Sequence, residues 1–402
     1  MNTNMKILYL FNPWWEIDDW ESKDKHLVEF NSMKIRWIPN WIKDISLKPF
    51  SLNFVVGPRQ VGKTTGMKLL IKELLKKENK FSVCYLDLEI FKDLEEFREA
   101  LLSYDKIRKE NGVKRSFIFL DEVTNLKEWW RIVKSLIDSG TFSKDVITVS
   151  GSSTLNILKE RESFPGRRGF GKDIEVLPLS FPEFLVVKGV EVSKKETFKE
   201  RIREEFQNYL RVGGYPKSIN GIDFSKDLIN SIEVEILKAG KSSLILKKIV
   251  STLLEMVPSA LSFNSIANKI ELSNKTVESY LEDLENLYVI KIAYLKENGV
   301  KFRKEKKIFV RDPFLLHSLA YWCNKEVRKD FLFEFVVQEH LFRKFKEIYY
   351  YKNSYEIDCI AGKMKVEVKA GKPHRRYPKN VIVVDEENVV DFLLSLNSRI
   401  FR

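Results

Sequence analysis

The stretch that most limits what this chain can fold into is residues 51–78. Ser51–Val56 is short and apolar, and Thr64–Glu78 has the apolar period of a helix. Between them, Gly57-Pro58-Arg59-Gln60-Val61-Gly62-Lys63-Thr64 matches G-x-x-x-x-G-K-[ST]. Strand, glycine loop and helix in that order predict a phosphate-binding turn. The glycines let the backbone curl so that successive N–H groups face an anion, and the helix N-terminus adds its positive end. Lys63 would reach the β- and γ-phosphates, and the Thr64 hydroxyl would coordinate Mg²⁺. Residues 57–65, Thr65 included, are therefore the expected binding segment for ATP with Mg²⁺.

The surrounding pattern fits such a site. Phe81–Leu88, Ser116–Leu120, Val146–Ser150 and Ile174–Leu177 read as strands, with helical stretches at Leu94–Leu102 and Trp129–Ile137. Continuous apolar strands separated by helices predict a parallel sheet covered on both faces, hence a three-layer α/β domain. The strand ending at Leu120 delivers Asp121 and Glu122 at its C-terminal edge, where ligands of open α/β sheets bind. Asp121 would hold Mg²⁺, and Glu122 would orient and deprotonate the attacking water. Val149-Ser150-Gly151-Ser152-Ser153 ends the next strand, and Ser150 or Ser152 could sit between phosphate and water. In Pro165-Gly166-Arg167-Arg168-Gly169 the arginines could act as a finger on a neighbouring subunit, or lie in a solvated loop or a DNA contact. The finger would require a homo-oligomer.

Composition bounds the rest. A chain of 402 residues with 44% hydrophobic and 12% aromatic content predicts two to four packed domains rather than disorder. No apolar run is long enough to span a bilayer, so no membrane partner is expected. The first twenty residues carry Glu16, Asp18 and Asp19 and lack the form of a secretory signal. Cys84, Cys323 and Cys359 form no C-x-x-C pair, which argues against a disulfide framework or zinc ribbon. Together these features predict a reduced, cytoplasmic protein. Net charge is +12, of which residues 301–402 hold +8. That excess suits a polyanion partner, or simply solubility. Scarce glutamine with abundant Lys, Glu and Ile leans toward a thermophilic source. Five of eight tryptophans, Trp14, Trp15, Trp20, Trp37 and Trp41, fall within residues 1–45. They predict an arm packed on the next domain, or one ring touching a nucleotide base.

Several motifs together resemble one family. The loop in the form GPRQVGKTT, Leu120-Asp121-Glu122, the SGSS at 150–153, LPLSFPEF at 177–184 and GGYP at 213–216 are similar to archaeal and bacterial ATPases of the AAA+ superfamily. These carry an uncharacterised C-terminal domain with a nuclease-like core. Asn12-Pro13-Trp14-Trp15 looks like the archaeal branch. The resemblance covers nearly the whole chain. It implies a five-stranded parallel sheet, ATP with Mg²⁺, and a winged helix before the last domain. Its nucleotide positions fall on Gly57, Gly62, Lys63, Thr64, Asp121 and Glu122. The expected layout is a Trp-rich arm (1–45), a P-loop domain (46–185), a helical lid (186–245), a winged helix-turn-helix (246–312) and a small α/β restriction-endonuclease-like domain (313–402).

The last segment carries a second set of carboxylates. Tyr355–Ala361 and Met364–Ala370 alternate like strands around Gly362-Lys363, a two-residue hairpin loop. Ala361 then pairs with Met364, which sets Asp358 opposite Glu367 and Glu356 opposite Lys369 on one face. Opposed carboxylates repel unless a cation or proton lies between them. Asp358 and Glu367 with Lys369 match the D…ExK arrangement of restriction-endonuclease-like enzymes. The carboxylates would hold Mg²⁺, and Lys369 would activate water or stabilise the phosphate. Glu334 or Glu339 could add a ligand. The other reading is a retained face on which Lys369 only neutralises charge.

Upstream, Ile249–Met256, Ser265–Lys269 and Lys275–Leu287 (N-capped by Ser273) precede a strand at Tyr288–Lys296, a winged-helix outline. The third helix bears Glu278, Glu282, Asp283 and Glu285, a poor surface for phosphates. The next stretch has Lys301, Arg303, Lys304, Lys306 and Lys307, so DNA contact is expected through residues 301–307 and the C-terminal domain. Three functions follow: an ATPase whose cycle drives or licenses nucleic-acid processing, a nucleotide switch that docks a protein on an inactive nuclease-like domain, or a nuclease whose P-loop domain only regulates assembly.

Overall fold

The computed structural model describes residues 3–152, 162–192, 197–353, 355–369, 371 and 377–396. Ser153, the end of the SGSS stretch, lies outside them. The chain forms two compact units, Met1–Leu177 and Pro178–Arg402, where the sequence suggested five segments.

The first unit is built on β1 (Ser51–Val56), β2 (Val83–Asp87), β3 (Phe117–Asp121), β4 (Val146–Gly151) and β5 (Asp173–Glu175). Their order is β2-β3-β4-β1-β5 and all pairings are parallel. Every residue of β1, β3 and β4 is buried, as expected for strands covered on both faces. Helices α1 (Thr3–Phe11), α2 (Lys25–Ser32), α3 (Lys63–Leu75), α4 (Leu94–Glu110) and α5 (Trp129–Asp138) accompany the sheet.

The tryptophan arm is part of this unit, not a separate segment, because it closes an open sheet edge. Strand β2 is outermost, so part of its backbone lacks a strand partner. Asn12 supplies one: its Oδ1 accepts from the Tyr85 N–H at 2.6 Å, and its Nδ2 donates to the Tyr85 carbonyl at 3.0 Å. The indole N–H groups of Trp14 and Trp15 both donate to the Val83 carbonyl, at 3.2 and 3.1 Å. Trp41 lies against α3, where a Cβ on Gly66 would come within 2.1 Å of its ring.

The second unit begins with α6 (Phe181–Val187), started by a Ser180/Glu183 capping box, and α7 (Lys199–Val212). The two family-like motifs meet here. Leu179 N–H donates to the Gly214 carbonyl at 2.8 Å, and a Cβ on Gly214 would sit 2.0 Å from the Leu179 oxygen. The short α8 (Pro216–Ile219) and α9 (Ser225–Lys238) follow. Next come α10 (Ser243–Met256), α11 (Phe263–Ile270) and α12 (Asn274–Asn286), the last capped by Ser273 Oγ as expected.

The strands of this unit are β6 (Ile290–Lys296), β7 (Val300–Val310), β8 (Tyr349–Lys352), β9 (Glu356–Ala361), β10 (Met364–Val368) and β11 (Ile382–Val384). They form one mixed sheet, ordered β11-β10-β9-β8-β6-β7. The β6–β7 hairpin is not a free wing, because β6 also pairs with β8 through Tyr294↔Tyr349 and Leu295↔Tyr350. Helices α13 (Pro313–Trp322), α14 (Lys329–Phe345) and α15 (Val389–Leu396) complete the unit. No helix among the described residues is long and apolar enough to cross a membrane.

Candidate nucleotide site and acidic centre

The loop between β1 and α3 takes the conformation its glycines allow. Gly62 has φ 95°, a left-handed value that side chains disfavour. Gly57 is required by space, since a Cβ would lie 2.0 Å from the Val176 carbonyl oxygen. Lys63 begins α3 and is buried, with its ammonium donating to the Gly57 and Pro58 carbonyls at 2.8 and 2.9 Å. Pro58 and Val61 are buried, Arg59 and Thr65 half-buried, and Gln60 exposed with φ 64°.

Asp121 gathers four donors. Thr64 Oγ1 donates to its Oδ2 at 2.6 Å, and the Tyr85 hydroxyl to the same oxygen at 2.8 Å. The Glu122 N–H donates to Oδ1 at 3.0 Å, joined by the Ser150 hydroxyl. The structure thus separates the two serine candidates. Ser150 touches Asp121, whereas the buried Ser152 hydroxyl has no hydrogen-bond partner among the described residues. Burial, reinforced by Asp121, pushes the Tyr85 phenol well above its ordinary range, so it stays a donor.

Glu122 follows at φ 47°. A non-glycine residue in that region stores strain. Its Oε2 is buried without a hydrogen-bond partner among the described residues. Burial pushes its carboxyl above the usual range, opposed by the nearby Lys63 ammonium. Such a group suits a general base near neutral pH.

Tyr85 and its neighbours carry contacts that sequence reasoning did not identify. Lys68, one turn along α3, is buried with its ammonium 3.7 Å from the centre of the Tyr85 ring and 3.3 Å from Asp24 Oδ2. Asp24 also caps α2. A signal for Tyr85 does exist. Asp87 stands in register with Asp121, and Tyr85, two residues earlier, shares its face. Using that signal requires knowing that β2 and β3 are neighbours.

Arg167, which could act as a finger on a neighbouring subunit, has local partners within its own chain. Its guanidinium is held at the surface by Asp138 Oδ1 at 2.5 Å and the Pro165 carbonyl at 3.0 Å. Arg168 pairs with Asp173 at 2.6 Å. The structure engages both arginines locally.

In the second unit the hairpin has the expected register, Met364↔Ala361 through Val366↔Cys359. Asp358 and Glu367 are neighbours: Glu367 Oε2 accepts from the Asp358 N–H at 3.3 Å, and Asp358 Oδ2 from the Val368 N–H at 2.8 Å. Lys369 reaches Glu367 Oε1 at 2.6 Å, and the Tyr377 hydroxyl donates to the same oxygen at 2.9 Å. Of the two helix carboxylates, Glu334 joins the centre, while Glu339 is taken by Arg311 and Arg343. Burial and Asp358 push the Glu334 carboxyl up, and the Lys307 ammonium opposes them.

Lys306 and Lys307 correct the expected DNA-contact segment. Both are buried, leaving Lys301, Phe302, Arg303 and Lys304 exposed. Lys306 covers the Phe263 ring at 4.4 Å. Lys307 points into the acidic centre, within 3.0 Å of Glu334 and Glu356 and 2.5 Å of Asp358.

Both units contain stretches similar to known proteins. A model of the AAA domain matches residues 50–185. The chain carries an AAA-type P-loop domain. A domain of unknown function, DUF8612, matches residues 203–326. An uncharacterized protein of Methanocaldococcus jannaschii is 25% identical over 378 residues, covering 86% of this chain and 77% of that protein. One from Haemophilus influenzae is 25% identical over 280 residues, covering 62% of this chain and 66% of its own length. Among solved structures, the Aeropyrum pernix ORC2 protein aligns at 12% identity and TM-score 0.41, covering 69% of this chain and 89% of that one. Thermotoga maritima RuvB aligns at 13% identity and TM-score 0.33, covering 69% and 88%.

Proposed function

We propose that the protein hydrolyses ATP at the P-loop and that its second unit binds nucleic acid. The observation that carries the first part is the 2.6 Å pairing of Thr64 with Asp121, next to Glu122, whose Oε2 has no hydrogen-bond partner among the described residues. The donor set fits Mg²⁺, which in such sites takes one or two carboxylates and completes its shell with phosphates and water. Thr64 and Asp121 would hold it, and it would neutralise charge on the phosphates. Lys63, now bonded to two loop carbonyls, would exchange those oxygens for phosphate oxygens. Glu122, adjacent to Asp121 and opposed by Lys63, would take the proton of the attacking water. Ser150 would keep Asp121 oriented.

The second part is supported by exposed Lys301, Arg303 and Lys304 on β7, with Phe302 66% exposed among them. Cations around an exposed ring suit a phosphate backbone with a stacked base. The helix order α10–α12 followed by the β6–β7 hairpin supports a winged-helix reading, with β7 as the contacting strand.

The experiment is ATP turnover by wild type and Lys63→Ala, with and without single- and double-stranded DNA and RNA, at two salt concentrations. Turnover that needs Lys63 and rises with one nucleic acid supports both parts. Turnover that needs Lys63 but ignores every nucleic acid removes the second part in favour of a protein partner. No turnover under any condition removes the first.

A further inference from the structure

The acidic centre of the second unit contains a covalently attached cation. Lys307 Nζ lies 2.5 Å from Asp358 Oδ1, 3.0 Å from Glu334 Oε1 and 3.0 Å from Glu356 Oε1, and its side chain is 3% exposed. An ammonium has three hydrogens to donate, and three carboxylates stand in place to receive them. We propose that Lys307 is the resident cation of this centre, standing where the hairpin pattern calls for a divalent metal. The centre therefore takes up no Mg²⁺ and does not cleave phosphodiesters by metal-assisted hydrolysis. The inference is independent of the ATPase reading.

The remaining acceptors support it. Asp358 uses its second oxygen on the Val368 N–H at 2.8 Å. Glu367 accepts from Lys369, Tyr377 and the Asp358 N–H. Glu334 Oε1 is shared with Gln338 Nε2 at 3.0 Å. Mg²⁺ demands near-octahedral oxygens at ~2.0–2.1 Å and sheds its water reluctantly. To enter, it would have to displace the ammonium and leave it buried beside a doubly charged ion, which is strongly unfavourable. Among the described residues, no group of three or more His, Cys, Asp or Glu is arranged to hold a metal. Lys307 also has a structural use that a metal would not replace. It reaches from β7 to Glu334 on α14 and to Glu356 and Asp358 on β9, joining three elements at one point.

Mn²⁺ binding to the full chain, counted by electron paramagnetic resonance without nucleotide, tests the proposal. The P-loop contribution cancels when variants differing only at Asp358 are compared. Wild type and Asp358→Asn should bind the same number of ions. Lys307→Met should bind one more per chain, and Lys307→Met/Asp358→Asn should lose it again. Lys307→Arg, which keeps the charge, should match wild type. An Asp358-dependent ion in wild type would overturn the proposal, as would a folded Lys307→Met that gains none. If Lys307→Met does not fold, the wild-type and Asp358→Asn pair decides, with equal counts supporting the inference and unequal counts sinking it.

Discussion

Tyr85 donates its phenolic hydrogen to Asp121 Oδ2, the oxygen that also accepts from Thr64 Oγ1. The peptide of Tyr85 is held by Asn12, and its ring lies under the Lys68 ammonium. The N-terminal arm thus fixes the residue that fixes the proposed metal-binding carboxylate. Replacing Tyr85 with Phe removes one of four donors and leaves the ring in place. A hydrogen bond to a charged group contributes about 1.5–3 kcal/mol. With Thr64, Ser150 and the Glu122 N–H remaining, we expect roughly tenfold slower turnover and a higher Mg²⁺ requirement, near the lower end of that range. Titrating Mg²⁺ at saturating ATP checks this. Unchanged kcat and unchanged half-saturation would mean that the phenol does not orient Asp121.

Glu122 is expected to separate binding from turnover. Glu122→Gln keeps the shape and loses the base, so ATP binding should persist while turnover falls by ~10²–10⁴. The pH profile carries a sign. A base works only when ionised, and burial holds this carboxyl above its ordinary range. Turnover should therefore climb with pH through that raised value and level off above it, rather than being complete at the pH where an exposed glutamate ionises. A rate already complete at the pH where an exposed glutamate ionises would place the base elsewhere.

Asn12 should matter for stability out of proportion to its size. Its side chain is fully buried, donates to the Leu8 and Tyr85 carbonyls and accepts from the Tyr85 N–H. Asn12→Ala leaves the Tyr85 amide and carbonyl unpaired in the interior, at about 1–3 kcal/mol for each unsatisfied group. A loss of roughly 2–4 kcal/mol is expected by denaturant unfolding. The exposed β2 edge should also promote self-association. Equal midpoints for the two proteins would show that the edge is closed by the tryptophans alone.

How much of this was legible in the sequence depended on how local each signal was. The P-loop, the Ser273 cap and the hairpin register are set by residues close together in the chain, and pattern alone found them. Asn12 and Tyr85 are 73 positions apart and Lys307 and Asp358 are 51 apart, so their pairing depends on strand order, which no local pattern encodes. The run from Lys301 to Lys307 looked uniformly basic. In a strand, however, consecutive side chains face opposite ways, and β7 is covered on both faces from Lys306 onward. Lys306 and Lys307 each found a buried partner, one an aromatic ring and the other three carboxylates. The GGYP and LPLSFPEF motifs were legible as motifs but not in purpose. Part of it is the close approach of two backbones, which leaves no room for a Cβ at Gly214.

That division of the basic run gives the last test. If β7 contacts nucleic acid, only its exposed cations do so. Lys301→Ala/Arg303→Ala/Lys304→Ala should weaken binding at low salt and flatten the dependence of log K on log salt by up to ~2.7 for duplex DNA, about 0.9 per lost phosphate contact. The variant should fold normally, since none of the three side chains is buried. Phe302→Ala should weaken binding without changing the salt slope, because stacking releases no counterions, at about 1–3 kcal/mol per stacked base. Lys306→Ala should instead lower stability and leave the slope alone, because its ammonium sits over Phe263. Fluorescence anisotropy of a labelled oligonucleotide across a salt series distinguishes the three. A triple variant that binds with the wild-type slope would move the nucleic-acid contact off β7.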